Sequence, residues 1–279
     1  MVHGALSAAK YAGNPTQVRL RRALALDPDV TSAALRSVDA QSGFSRFVGD
    51  DVPGVDAVVA RCRTLAAERR EALNTESFVV NRNKVFLLSV LAGDEFCEYP
   101  DLLSFMVSRR FLDTATRYLG AVPLLTGANL WWTPPNDSAK ASQLFHTDNE
   151  DWRQLKVFIN LFDTSDESGP LTFLPADVSS VAGRLNRYVT GRLSDEQVFA
   201  SASPADLIRL VGATGSGAFV DTSRCMHFGS RGNTADRLML TFQFMRFDSP
   251  SESTSPLTVR PSAVPTGLDR IQQLALGVE

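Results

Sequence analysis

Apolar residues in the first quarter of the chain recur at helical spacing, as in Val18, Leu20, Ala23 and Leu24 and again in Val58, Val59, Cys62, Leu65 and Ala66. Three-to-four-residue recurrence is the mark of one buried helix face, so helix is expected from Pro15 to about Thr75. A further amphipathic helix is expected from an Asp101 N-cap through Leu102, Phe105, Met106, Phe111, Ala115 and Tyr118, with Gly120 as its stop. After Gly120 the texture changes to short β-rich runs at 122–126, 129–133, 142–146, 156–162, 171–174, 218–221 and 238–247. Turn clusters such as Pro134-Pro135-Asn136-Asp137 separate them. Many short strands in succession predict a sandwich or jelly roll. Residues 185–210 return to helical character, with Ser194-x-x-Gln197 as a capping box. They read as an insertion between barrel strands near the barrel mouth. Residues 249–265, rich in Ser, Thr and Pro, read as a surface tail.

A chain of 279 residues, 44% of them hydrophobic, can bury one full-sized core. The expected organisation is a single domain over 1–279. Residues 1–120 form a mostly helical part packed on a barrel, 121–248 the β core with its helical insertion at about 185–210, and 249–279 a C-terminal tail. A net charge of −3 with scattered basic residues gives no footprint for nucleic acid or an anionic membrane. Small-molecule chemistry moves up the list. Lys10 and Asn14 interrupt the apolar stretch an export signal needs, and Ser89 interrupts the longest apolar run. Cys62, Cys97 and Cys225 are odd in number, far apart and without a CxxC, which argues against a disulfide framework or a zinc-thiolate site. The cytoplasm is the expected compartment, and the oligomeric state stays open.

Only three histidines are present: His3 near the start, His146 and His227. His146-Thr147-Asp148 closes one expected strand, where residues i and i+2 project to the same side and can share a metal. Alone, such a pair also describes a surface histidine beside an aspartate. His227 follows the expected strand around 218–221, and a jelly roll can bring it beside the first pair. Two imidazoles and a carboxylate on one face of a metal leave the opposite face open, which suits Fe(II) binding an organic co-substrate and O₂. Zinc accepts the same donors. Arg237 begins the expected strand at 238–247, where its guanidinium can grip the distal carboxylate of 2-oxoglutarate bidentately. Arg231 competes for that role, although its place four residues after His227 puts it in a turn.

The block from Leu119 to Phe247 resembles the phytanoyl-CoA dioxygenase family of 2-oxoglutarate-dependent oxygenases. The resemblance is carried by Tyr118-Leu119-Gly120, Gln143-Leu144-Phe145-His146-Thr147-Asp148, Phe158-Ile159-Asn160-Leu161-Phe162-Asp163, Glu167-Ser168-Gly169-Pro170-Leu171-Thr172-Phe173-Leu174-Pro175, and His227 with Arg237. It implies a double-stranded β-helix with helices packed outside, Fe(II) on His146, Asp148 and His227, and 2-oxoglutarate on Arg237, with O₂ as oxidant. The sequence departs from the family at Ala176-Asp177-Val178, where Gly-Ser-His is common, and at Met239, where a hydroxyl residue often assists the arginine. Related halogenases replace the carboxylate ligand by a small residue, so Asp148 implies hydroxylation or another C–H oxidation.

Trp131, Gln143, Asn149 and Asn160 lie on or beside the runs bearing the triad and are the candidate substrate-binding residues. Paired tryptophans in a barrel also serve as plain core, and Lys156 can face either an anion or solvent. Two other classes of protein share the pattern. A zinc or other metal-dependent jelly-roll enzyme predicts no 2-oxoglutarate turnover, and a non-catalytic jelly-roll binding module predicts a ligand site indifferent to His146 and Asp148.

Overall fold

The architecture was read from a computed structural model, which describes residues 13–73, 86–249, 257 and 259–278. His3 and most of the Ser/Thr/Pro-rich stretch after Ser249 lie outside the described residues.

Two antiparallel sheets form the core. The larger has six strands in the order β1 (Phe44–Phe47), β7 (Gly217–Val220), β4 (Leu155–Asn160), β9 (Arg237–Met245), β3 (Leu124–Thr133) and β2 (Leu88–Ala92). The smaller orders β6 (Ile208–Arg209), β5 (Thr172–Phe173) and β8 (His227–Phe228). Strand alternation assigns the faces. On β9, Leu238, Leu240, Phe242 and Phe244 join the main apolar core, whereas Arg237, Met239, Thr241 and Gln243 line an internal cavity. Helices α1 (Pro15–Leu26), α2 (Val55–Leu73), α3 (Pro100–Met106) and α4 (Arg109–Leu119) belong to the core's helical side. Phe111 of α4 is fully buried and meets Phe47, Phe105 and Phe242 edge to face. This is the jelly roll expected from the run of short strands.

The element boundaries differ from the sequence reading in five places. The N-terminal part supplies β1 and β2, so the six-stranded sheet is edged on both sides by strands from a segment read as helical. The helix expected from Asp101 to Tyr118 is two helices, because Ser108 is extended (φ −58°, ψ 146°) and its carbonyl accepts from Phe111 N–H and Leu112 N–H. Pro100 opens the first of them, and Gly120 closes the second at φ 70°. The two runs at 122–126 and 129–133 are one strand with a bulge between Leu125 and Gly127. The run at 142–146 is a short 3₁₀ turn, Ala141–Gln143, followed by single bridges from Phe145 to Leu193 and from His146 to His227. Last, the helical insertion starts earlier than 185, with α5 at Ala176–Leu185 and α6 at Asp195–Phe199, and ends in β6. The Ser194/Gln197 capping box is present as read.

The C-terminal tail carries a helix, α7 (Arg270–Leu276), capped by the Asp269 side chain and burying Ile271, Leu274, Ala275 and Leu276. Arg21 of α1, 2% exposed, donates to the Leu274 carbonyl at 2.9 Å and to the Val122 carbonyl at 3.2 Å. One guanidinium thus ties α1, α7 and the entry to β3.

Gly217 marks the tightest point of the large sheet. A Cβ there would stand 2.1 Å from the Phe158 carbonyl oxygen and 2.5 Å from the Phe47 ring. Gly217→Ala is predicted to lower the unfolding free energy by about 1–3 kcal/mol or more. Gly127→Ala, whose Cβ would find its nearest neighbour 3.9 Å away, should stay within about 1 kcal/mol of wild type. Urea midpoints at constant slope measure both.

Candidate metal centre and its cavity

A pair of reciprocal backbone bonds places the two histidines. His146 N–H donates to the His227 carbonyl at 3.1 Å and His227 N–H donates back at 2.8 Å, so the imidazoles stand side by side with ring centroids 4.3 Å apart. Each Nδ1 then faces a carbonyl two residues earlier, Leu144 at 2.9 Å and Cys225 at 3.0 Å. A carbonyl only accepts, so Nδ1 carries the proton and Nε2 keeps its lone pair for a metal. Asp148 completes the group. Its N–H is held by the Thr222 carbonyl at 2.9 Å, and its Oδ2 lies 3.7 Å from His227 Nε2. One donor atom from each of the three falls within 4.8 Å of the others.

Protonation states suit a metal. Burial, and then the neighbouring His227, press the His146 pKa down to about 3. Burial also lowers His227, against the pull of Asp148. Both rings stay in the neutral, ligating form. Burial alone would raise the Asp148 carboxyl, but the Lys156 ammonium, 2.6 Å from Oδ2, holds it well below the usual carboxylate range. Two neutral imidazoles and one carboxylate, with their backbone-side partners in place, fit Fe(II) in a three-point site.

The triad opens into a cavity of about 210 Å³ whose other wall carries Arg237. This guanidinium is 4% exposed, and no carboxylate meets it among the described residues. Nη1 donates to the Gly169 carbonyl at 2.8 Å and Nη2 to Ser230 Oγ at 2.7 Å, while Nε has no partner. Burial lowers its pKa to about 10. Gly169 can present that carbonyl because it sits at φ 60°, where a Cβ would strike Asn233 at 2.9 Å. This accounts for the glycine of the Gly169-Pro170-Leu171 turn.

The hydroxyl support that Met239 does not provide comes from elsewhere. Thr133, paired with Arg237 across β3 and β9, places Oγ1 3.2 Å from Ser230 Oγ and 3.5 Å from Arg237 Nη2. Ser230 holds its hydroxyl there from a left-handed backbone, φ 63°. Sequence reasoning missed both residues; the only signal was a threonine ending a strand before Pro134-Pro135.

The remaining candidates separate. Trp131 lines the triad cavity, as does Lys156. Asn149 is exposed and donates to Thr190 Oγ1 at 2.7 Å, on the rim of a neighbouring cleft. Gln143 is buried and binds Ser138, Asn136 and the Ser230 carbonyl, supporting the residue that supports Arg237. Asn160 donates to the Leu210 carbonyl and Ser216 Oγ. Neither lines the cavity. Arg231 is spent on Asp195, at 2.7 Å, and on the Phe228 ring, 3.7 Å below it.

No protein-family profile matches this sequence, and no curated protein sequence matches it. Solved structures do resemble it. EctD from S. alaskensis with 2-oxoglutarate and 5-hydroxyectoine is 18% identical over 91% of this chain and 92% of that one, with a TM-score of 0.58. EctD from S. alaskensis with bound Fe is 17% identical over 86% and 84%, TM-score 0.56. The non-heme alpha ketoglutarate dependent carbocyclase SnoK from nogalamycin biosynthesis is 17% identical over 79% and 84%, TM-score 0.55. At such identities the likeness is one of fold: the chain has the jelly-roll fold of these 2-oxoglutarate-dependent enzymes.

The buried imidazoles set a pH dependence. Between about 3 and the ordinary 6.5, the unfolded chain binds a proton at His146 that the native metal-free protein refuses, so stability falls as pH drops below about 6.5. His146→Gln should flatten that slope, removing about 2 kcal/mol of the loss between pH 7 and pH 5. Urea titrations of both metal-free proteins at the two pH values test it.

Proposed function

We propose that this chain is an Fe(II)- and 2-oxoglutarate-dependent dioxygenase that hydroxylates, or otherwise oxidises a C–H bond of, a small organic molecule, with succinate and CO₂ as co-products. One observation carries the reading: a buried guanidinium without a carboxylate shares a single small cavity with a His-Asp-His triad. A cation buried that way is costly until an anion meets it. A co-substrate with carboxylates at both ends uses both features at once, one end on the metal and the other on the arginine.

In this reading His146 Nε2, Asp148 and His227 Nε2 hold iron, and Arg237 holds the far carboxylate of 2-oxoglutarate. When bound, iron and 2-oxoglutarate together reduce O₂ and oxidise the substrate C–H bond. The chain's own work is positional. The Leu144 and Cys225 carbonyls fix the two rings by holding Nδ1–H, Lys156 orients the Asp148 carboxylate through Oδ2, and Ser230, Thr133 and Gly169 set the plane of the Arg237 guanidinium. Phe158, Leu171 and Met239 supply apolar wall and limit water in the cavity.

Within that class, the order of motifs favours a phytanoyl-CoA dioxygenase-like oxygenase, supported by the Gly169-Pro170-Leu171 turn whose carbonyl meets Arg237. Residues 1–279 would work as one oxygenase domain. The described residues contain no helix long and apolar enough to cross a membrane, and the three cysteines are free and buried, which supports a reducing cytoplasm.

Anaerobic titration with Fe(II) and 2-oxoglutarate tests the reading. Wild type is expected to develop the weak visible metal-to-ligand charge-transfer band, His146→Ala to lose it, and Arg237→Ala to need about a hundredfold more 2-oxoglutarate, as loss of a buried charged contact implies. A wild type that shows no band while binding zinc tightly would return the fold to the zinc-enzyme class.

A further inference from the structure

The cavity at the triad is small. Ligand pockets for organic molecules run to about 300–1,000 Å³, and a dicarboxylate reaching from Arg237 to the triad takes up most of about 210 Å³. Beyond Asp148 lies a second, wider cleft of about 970 Å³, between the segment 147–152 and the insertion formed by α5 and the loop after it. Asp148 is the one residue lining both spaces among the described residues. The candidate metal site therefore stands at their junction.

The wide cleft has an unbalanced charge. Of its two carboxylates, Asp148 is paired with the Lys156 ammonium, and Asp151 accepts the Trp152 N–H at 2.6 Å through Oδ1 and is 5% exposed, so one buried carboxylate stands against the cleft's arginines. Of its three arginines, Arg224 donates to the Ala40 carbonyl and Tyr118 Oη and lies 4.0 Å from Asp221. Arg184 and Arg187 are different. Arg184 reaches only Ser180 Oγ, at 2.6 Å, and the Arg187 guanidinium has no hydrogen bond or ion pair among the described residues. Both are exposed at the end of α5, and beside them Trp152 and Val189 leave 52% and 84% of their surface uncovered in the same cleft. Exposed apolar surface next to free cations is what an amphiphilic anion covers.

The loop bearing this rim is fastened to the triad. Arg187 turns the chain at φ 50°, after which Tyr188 Oη accepts from Thr147 N–H at 3.1 Å and Thr190 Oγ1 accepts from Asn149 at 2.7 Å. A molecule seated against Arg184 and Arg187 is thus held in fixed relation to Asp148.

We infer that the wide cleft is the substrate site and that the substrate is an organic anion, an apolar body ending in a carboxylate or phosphate held by Arg184 and Arg187. Its chemistry rests on the oxygenase reading; its binding does not require iron. The full-length protein is titrated with anilinonaphthalene sulfonate, an aromatic anion, and with the neutral N-phenylnaphthylamine. The anionic dye should bind wild type at least about tenfold more tightly than the Arg184→Gln/Arg187→Gln double variant, with the neutral dye unchanged between them, and Trp152→Ala should weaken both. Displacement of the anionic dye by phenylacetate or by phenyl phosphate identifies the head group. Equal affinity for the anionic dye in wild type and the double variant, or displacement by neither phenyl anion, overturns the proposal. A missing charge-transfer band in wild type counts against the oxygenase alone, because the dye arms are read without iron.

Discussion

Two backbone hydrogen bonds between His146 and His227 join the segment after β3 to β8 in the smaller sheet. They form an isolated bridge, with no continuous ladder to share the load. Everything at the site follows from that closure. It sets the imidazoles 4.3 Å apart, aims each Nδ1 at the carbonyl two residues earlier in its own segment, and leaves both Nε2 atoms facing the space where Asp148 arrives. Asp148 is then registered by the Thr222 carbonyl, five residues before His227, so all three donors are measured from one short stretch of backbone. Misplacing that stretch by a single residue would turn every side chain to the opposite face.

Arg237 expresses the same logic in electrostatic form. A guanidinium buried without a carboxylate is an expense the fold bears only because neutral oxygens surround it: the Gly169 carbonyl, Ser230 Oγ and Thr133 Oγ1. These acceptors orient the cation without neutralising it, which keeps it available for an incoming anion. Gln143 stands behind Ser230 through its carbonyl. Two unusual backbone positions, Gly169 and Ser230 in the left-handed region, are the local cost of assembling that ring of oxygens.

The parts legible in the sequence were those written in scarce residue types or in strict alternation. Three histidines in the chain left few ways to make a metal site, and the strand expected at 238–247 with Arg237 at its start is β9, whose alternation puts Arg237 on the cavity face and Leu238 in the core. The illegible parts depend on backbone geometry that leaves no period. Ser230 acts because of one φ angle, and Thr133 because β3 pairs with β9 in a particular register. Gln143 and Asn160 were chosen for nearness to the triad along the chain, but the 3₁₀ turn at Ala141–Gln143 and the end of β4 direct their side chains into scaffold hydrogen bonds. The edge strands β1 and β2, four and five residues long, are too short to outweigh the helical pattern around them. The broken helix at Ser108 went unseen because the apolar stripe continues across the break into Phe111 and Ala115.

Lys156 connects these observations. Its Nζ sits 2.6 Å from Asp148 Oδ2, and although burial disfavours the ammonium, Asp148 and Glu150 hold it protonated, above the ordinary lysine value. The inner cavity thus contains two cations, Arg237 and Lys156, against one carboxylate, with both imidazoles neutral. On the proposed reading a divalent metal and a doubly charged co-substrate would cancel one another, so loading the site would leave that surplus positive charge in place. Charge of the same sign is exposed on Arg184 and Arg187 across Asp148. Both spaces that meet at the triad are therefore electropositive, and the low dielectric of the inner one extends the reach of its field into the outer. A neutral substrate would leave that field unused, whereas an anion is drawn along it to the junction where Asp148 stands.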